Sequence, residues 1–468
     1  MNRFSARLVR SWASMGTRFL PFADAATPDL PLARLLRLGL FQVSVGMALV
    51  LLVGTLNRVM IVELQVPASL VAVMLALPVL YAPFRALVGF RSDTHRSAIG
   101  WRRVPFIWLG RMVQFGGLAI MPFALLVLSG AGNATAWPAW IGQLCAGLAF
   151  LLVGAGLHTV QTAGLALCTD LAPVESQPKV VGLMYVMLLL GMIVSALVFG
   201  ALLADFSHGR LIQVIQGAAV VTLVLNTIAL WKQESLDPSR NTRLAQQPSF
   251  RQSWSVYIEG PQARRRLLAI ALGTMAFGMQ DVLLEPYGGQ VLAMTVSSTT
   301  LLTATLALGG LMGFSLASNV LSRGADPFRM SIAGAWVGIP AFAAVILSAP
   351  LGSVLMFTLG VLLIGFGGGL FSHGTLTATM NRAPRDQIGL ALGAWGAAQA
   401  TAAGVGVGLG GVIRDVVAAF ASTNTFGESL AGPATGYAFV YSLEIVLLIG
   451  AILVMTPLVA DRDKSDRR

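Results

Sequence analysis

Leu151-Leu152-Val153-Gly154, followed by Gly156, recurs 211 residues later as Leu362-Leu363-Ile364-Gly365, followed by Gly367. The register continues without an insertion: Leu165 falls on Leu376, Ala172-Pro173 on Ala383-Pro384, and Gly182 on Gly393. Both copies lie in long apolar segments, and a duplication of this kind is a mark of membrane proteins that rock between states. Working outward, we sought further apolar runs of roughly 20 residues, the length a helix needs to cross about 30 Å of hydrocarbon. There are twelve, near 40–64, 68–90, 104–129, 138–170, 179–204, 211–231, 266–291, 297–321, 329–349, 351–381, 388–415 and 436–458. The two copies occupy runs 4–5 and 10–11 in the same orientation. The chain therefore reads as an all-α membrane protein of two pseudo-symmetric six-helix bundles, 40–231 and 266–458. A polar linker at 232–265 joins them, a basic segment at 1–39 precedes them, and a short tail at 459–468 follows.

Composition agrees. Of 468 residues, 56% are hydrophobic and 11% charged, and the mean hydropathy of +0.77 excludes a set of soluble domains. Cys145 and Cys168 are too few for a disulfide framework or a zinc site. The net charge of +11 does not point to nucleic acid, because the basic residues sit between apolar runs rather than on one face with aromatics. Counted by side, 26 of the 31 Lys and Arg fall with the two termini, while Arg210 and Arg414 fall opposite. By the positive-inside rule both termini are cytoplasmic. In the first twenty residues, Phe4, Leu8, Trp12, Met15 and Phe19 share one helical face and Arg3, Arg7 and Arg10 another, which predicts a helix lying on anionic lipid rather than a secretory signal.

Two parallel six-helix halves resemble the architecture of the major facilitator superfamily. The loop after run 2 resembles that superfamily's loop signature: Gly89, then Asp93 four residues on, then Arg96, a late Gly100, and the pair Arg102-Arg103. Such a loop can lock one conformation when its aspartate caps or pairs with a neighbouring helix end.

A charge inside hydrocarbon costs at least about 2.5–3.5 kcal/mol, so each one marks a functional candidate. Arg58 lies in the outer third of run 1, shortly before Glu63; Asp281 and Glu285 lie at i and i+4 in run 7, hence on one helical face. Runs 1 and 7 are pseudo-equivalent and face a central cavity, which predicts an ion pair from Arg58 to Glu285 or Asp281. Arg85 and Arg111 stand near the cytoplasmic ends of runs 2 and 3, where snorkelling anchors suffice to explain them. His158 in run 4 and His373 in run 10 fall in the two duplicated runs, about one turn out of register, with Gln161 and Thr162 within a turn of His158 as its candidate hydrogen-bond partners. An imidazole at that depth suits a proton relay, a helix-to-helix hydrogen bond, or the axial position of a magnesium tetrapyrrole. Gly396, Ala400, Gly404 and Gly408 form an i, i+4 ladder in run 11 and Gly365, Gly367, Gly368 and Gly369 crowd run 10, a pattern of close helix packing or of a flat face for a planar guest.

The stretches Gly54-Thr55-Leu56-Asn57-Arg58-Val59-Met60-Ile61-Val62-Glu63-Leu64, Pro83-Phe84-Arg85-Ala86-Leu87, Arg91-Ser92-Asp93-Thr94-His95-Arg96-Ser97, Gly100-Trp101-Arg102-Arg103-Val104-Pro105 and Gln114-Phe115-Gly116-Gly117-Leu118 resemble the PucC/LhaA family of photosynthetic bacteria. The likeness is dense over 21–122 and looser beyond. It implies a facilitator-fold, non-enzymatic factor that assembles core or peripheral light-harvesting antenna complexes in the inner or intracytoplasmic photosynthetic membrane. Its expected ligand is bacteriochlorophyll, its expected partners the antenna α/β polypeptides, and the candidate magnesium ligands are His158 and His373. The competing expectation is a proton-coupled secondary transporter working through Glu285, Asp281 and His158.

Overall fold

A computed structural model of the chain describes residues 25–27, 30–81, 84–85, 88, 91–92, 95, 101–128, 137–173, 176–234, 262–382, 388–423 and 432–465. The amphipathic segment 1–20, most of the linker, and Gly89, Asp93, Arg96 and Gly100 of the loop signature lie outside the described residues. Twelve helices are described: α1 (Leu32–Glu63), α2 (Ala68–Leu80), α3 (Val104–Leu128), α4 (Ala139–Leu171), α5 (Gln177–Leu202), α6 (His208–Leu230), α7 (Ala263–Gln290), α8 (Val296–Ser322), α9 (Pro327–Ser348), α10 (Val354–Arg382), α11 (Ile388–Ser422) and α12 (Ala434–Ser465). They fall on the twelve apolar runs, and no strand is present among the described residues. Eleven are long and apolar enough to cross a membrane; the twelfth, α2, is 13 residues in its described continuous part, with Pro78 near its end, and helical backbone recurs at Phe84–Arg85 and Arg91–Ser92.

Local sequence sets the helix starts. Asp326 accepts from the Phe328 and Arg329 backbone N–H groups at 2.8 and 2.9 Å and Pro327 supplies a preset φ, so α9 begins at that point. Thr295 and Ser207 cap α8 and α6 in the same way. Within the first half α3 packs on α4 and α1 on α5; within the second, α9 and α8 both pack on α10. The halves meet through α2 against α11 and α5 against α8.

Gly154, Gly156, Gly365 and Gly367 lie at close helix contacts. A Cβ at Gly365 would overlap the Leu306 carbonyl oxygen of α8, and one at Gly309 would overlap the Leu362 carbonyl oxygen of α10. Gly154 holds the corresponding position against Pro78 of α2; Gly156 rests on Gly110 and Gln114 of α3 as Gly367 rests on Gly334 of α9. The expected ladder of α11 divides differently. Gly396 and Gly408 have open space beside them, whereas Gly406 and Gly410, on another face, meet Met275 and Met279, and Gly411 meets Ala68 and Ala72.

Two helices depart from α geometry. α1 widens into π turns over Val50–Leu56 and Val59–Glu63, and α7 tightens into a 3-10 turn over Met279–Val282 between Gly278 and Leu284. Irregular turns inside long helices recur at functional sites.

Candidate functional site: a slot beside a broken helix

A cavity of about 350 Å³ lies between α5, α7, α8, α10 and α11. Phe277, Phe314, Trp395 and Leu188 wall it, and Gly310 and Gly368 keep room in it, the nearest atoms to a Cβ built there being 3.7 Å away. Tyr185, Gln280, Asp281, Ser372 and Gln399 are its polar wall groups. An apolar slot with a few convergent polar groups is the usual build of a small-molecule site. Gly365 and Gly369 also border the cavity, yet their missing side chains face the α8 backbone, so their first role is packing.

The 3-10 turn of α7 leaves carbonyl oxygens without helical donors, which in hydrocarbon must be met from elsewhere. Asn57 of α1 meets them: its Nδ2 donates to Asp281 O at 3.3 Å and Val282 O at 3.1 Å. The break also alters the expected helical face. Asp281 lines the cavity and accepts at Oδ1 from Gln280 Nε2 at 2.5 Å, while Glu285, fully enclosed, accepts from the Thr303 hydroxyl of α8 and lies over Gly54 of α1. The predicted ion pair between the halves is not formed. Arg58 Nη1 donates to Glu63 Oε1 at 2.5 Å within α1, and Nη2 donates to Met294 O at 3.3 Å. The π turns bring Glu63 to Arg58 at a spacing of five residues, and Thr303 has already taken the near oxygen of Glu285.

The polar groups around His158 are also differently employed. Thr162 and Gln161 accept from Arg85 Nε and Nη2, each at 3.0 Å, and Gln161 Nε2 reaches Gln42 of α1 at 3.3 Å. Thr162 donates to the backbone oxygen of His158, not to its ring, and the His158 Nδ1 has no hydrogen-bond partner. Arg85 is thus held inward by an amide and a hydroxyl, and Arg111, only 2% exposed, lies with its guanidinium 3.3 Å over the exposed ring of Trp108 and donates to Thr227. Neither histidine is among the groups lining the slot. His373 packs on Phe314, ring centroids 4.2 Å apart, one residue from the lining Ser372. Of the loop signature, Arg102 and Arg103 both bind Asp170 at the end of α4, at 2.5 and 2.9 Å, and their backbone N–H groups donate to Glu234.

Several residues of this site were not singled out in the sequence. Glu444 of α12 is fully enclosed, its carboxyl faces the Gln280 backbone within electrostatic range of Asp281, and neither of its oxygens has a hydrogen-bond partner. A lone glutamate in the apolar run 436–458 was the available signal. Asn57, Tyr287, Tyr437 and the Arg414–Asp415 pair complete the set; Tyr437 and Arg414 Nη2 both donate to Gln290, at 2.7 and 2.6 Å.

Twelve helices, an apolar slot between the two sets of six and buried ionisable groups in its wall define a multi-pass membrane protein of facilitator-transporter fold. Solved structures of that class superpose on it: a bacterial homologue of the human lysosomal transporter Spinster (TM-score 0.63, 15% identity, 90% of this chain and 95% of that one) and a POT family transporter (TM-score 0.65, 14% identity, 94% and 99%). The chain belongs to the PUCC protein family, whose model matches residues 55–463. It is 64% identical to Protein PucC of Rhodovulum sulfidophilum over 89% of this chain and 92% of that one, and 58% identical to Protein PucC of Rhodobacter capsulatus over 97% and 98%. A more distant relative, 29% identical over 92% of this chain and 96% of its own length, is the bacteriochlorophyll synthase 44.5 kDa chain of Rhodobacter capsulatus.

Proposed function

We propose that the protein is a non-enzymatic assembly factor for bacterial light-harvesting antenna complexes, holding bacteriochlorophyll in the slot and docking the antenna α/β polypeptides on its lipid-facing exterior. The observation that carries this reading is the slot itself. Its walls are mostly aromatic, aliphatic and glycine, which suits an apolar macrocycle, with a few polar groups among them. The residues fit such a guest: Gly310 and Gly368 leave the face open, Phe277, Phe314 and Trp395 offer ring contacts, and Gln280, Asp281, Ser372 and Gln399 offer oxygen atoms toward a magnesium ion. His373, behind Phe314, is the nearer histidine candidate, and His158 stands beside Arg85 with a ring nitrogen free.

The protein sits in the inner or photosynthetic membrane with both termini cytoplasmic, and its halves are duplicates; the matched packing of Gly154 with Gly365 and of Gly156 with Gly367 supports the duplication. Purified in mild detergent from a pigment-making host, it carries bacteriochlorophyll absorption in near-stoichiometric amount, and deleting its gene lowers antenna content. A colourless preparation with normal antenna levels in the deletion strain removes this reading. The second reading, a proton-coupled transporter of a small solute, is favoured by one observation, the carboxyl group of Asp281 in the cavity wall.

A further inference from the structure

Four oxygen-bearing groups converge where α7 breaks against α12. Glu444 is 0% exposed with neither carboxyl oxygen in a side-chain hydrogen bond, and it faces the backbone of Gln280, whose own Oε1 is enclosed and unpartnered. The hydroxyl of Tyr441, one turn before Glu444, is enclosed and does not find an acceptor or donor. Asp281 lies within electrostatic range of Glu444 and borders the slot, so the cluster has a way in. Elsewhere on α7, Tyr287 donates to Val345 O and Glu285 Oε1 accepts from Thr303, while Glu285 Oε2 and the Thr274 hydroxyl are also enclosed without a partner.

Among the described residues, no element that packs on α12 brings a cation to Glu444. α11 contributes Arg414, already paired with Asp415 and lying over Tyr437 at the end of the bundle remote from the start of α1. α7 contributes Arg264, Arg265 and Arg266 at the opposite end, where Arg265 donates to Val454 O, and α9 contributes Arg329 in its first turn. The titratable groups that reach Glu444 are Asp281 and its own helix neighbour Tyr441. A carboxylate taken out of water with only the Gln280 backbone facing it and no cation costs far more than a membrane helix recovers by burying it. A broken transmembrane helix beside carboxyl oxygens is also how membrane transport proteins hold small cations.

We propose that Glu444, Asp281 and the side-chain oxygen of Gln280 form a binding site for one monovalent cation, a proton or a sodium ion, entered from the slot past Asp281. Neither reading of the protein's function assigns a role to Glu444, and the site stands whether the slot holds pigment or solute. Occupancy offsets one of the two carboxylate charges of Glu444 and Asp281 beside the slot.

The test uses the full-length protein in detergent. Thermal melting is followed across a sodium chloride series kept at constant ionic strength with choline chloride, and infrared spectra are recorded in parallel. A saturable rise in Tm of at least about 2 °C with sodium, removed by Glu444→Gln, identifies sodium as the occupant. No sodium effect, with a protonated-carboxyl stretch that Glu444→Gln removes and Glu285→Gln keeps, identifies a proton. A sodium-insensitive Tm with no carboxyl stretch lost in Glu444→Gln overturns the proposal, and so does a sodium effect that survives the substitution. Should Glu444→Gln fail to accumulate, Asp281→Asn replaces it with the same decision rule: a sodium effect or a carboxyl stretch that Asp281→Asn removes and Glu285→Gln keeps supports the site, and the lack of both overturns it.

Discussion

The two ends of the bundle are held by polar networks of opposite reach. At the end where α1 begins, Arg102 and Arg103 bond to Asp170 and Glu234, and Arg34 bonds to Gln233; none of these bonds reaches α7–α12. At the far end the bonds cross between halves: Asp415 of α11 accepts from the Ser69 backbone N–H of α2 at 2.6 Å, Arg58 of α1 donates to Met294 O, and a little deeper Asn57 caps the open carbonyls of α7. Separating the halves near the start of α1 therefore breaks none of the described bonds just named at that end, whereas separating them at the far end breaks at least two.

The strongest way to sharpen this contrast is Asp170→Asn. It leaves Arg102 and Arg103 without their carboxylate, and Arg103 is only 4% exposed. Because Asp170 itself is about one-third exposed, the loss should be near the lower end for a broken buried pair, about 3 kcal/mol in detergent unfolding. A spin-label distance between α2 and α11 at the far end should stay unchanged; a shift there would break the distinction between the ends. Asp415→Asn is the complementary change. It weakens one charge-assisted bond to Ser69 and the pairing with Arg414, about 1–2 kcal/mol, and should lengthen that same distance. Unaltered spacing with the stability loss intact would mean that the α2–α11 contact at Gly411 and Ala72, not Asp415, holds the far end closed.

The parts of this molecule that were legible in the sequence are those governed by length and repetition. Apolar runs locate helices because a helix must span the hydrocarbon whatever its neighbours are, and the 211-residue repeat picked out Gly154, Gly156, Gly365 and Gly367, all of which lie at close helix contacts. Partner choice was not legible. It depends on departures from α geometry that leave no periodic trace: the π turns that deliver Glu63 to Arg58, and the 3-10 turn that separates Asp281 from Glu285 and creates work for Asn57. Glu444 escaped for a different reason. Its run is otherwise uniformly apolar, so composition absorbed the one residue whose burial is hardest to account for. The ladder at Gly396 and Gly408 misled because spacing alone does not say which face of α11 meets the bundle.

The smallest expected effect belongs to the residue pair that the sequence assigned otherwise. Glu63 is 34% exposed, so its bond to Arg58 is screened, and Glu63→Gln should cost less than about 1 kcal/mol, since Arg58 keeps Met294 O. The informative measurement is a charge exchange scored by accumulation of folded protein. Arg58→Glu alone places an unpaired acid beside enclosed Glu285 and should accumulate poorly. Adding Glu63→Arg should restore it, because the π-turn geometry still brings the two positions together; adding Glu285→Arg should not, because Thr303 and Gly54 occupy the space a longer cation would need. Recovery with Glu285→Arg instead would mean that Arg58 reaches across to α7 in a second conformation, and the far end would then be held by an ion pair between halves as well as by Asp415.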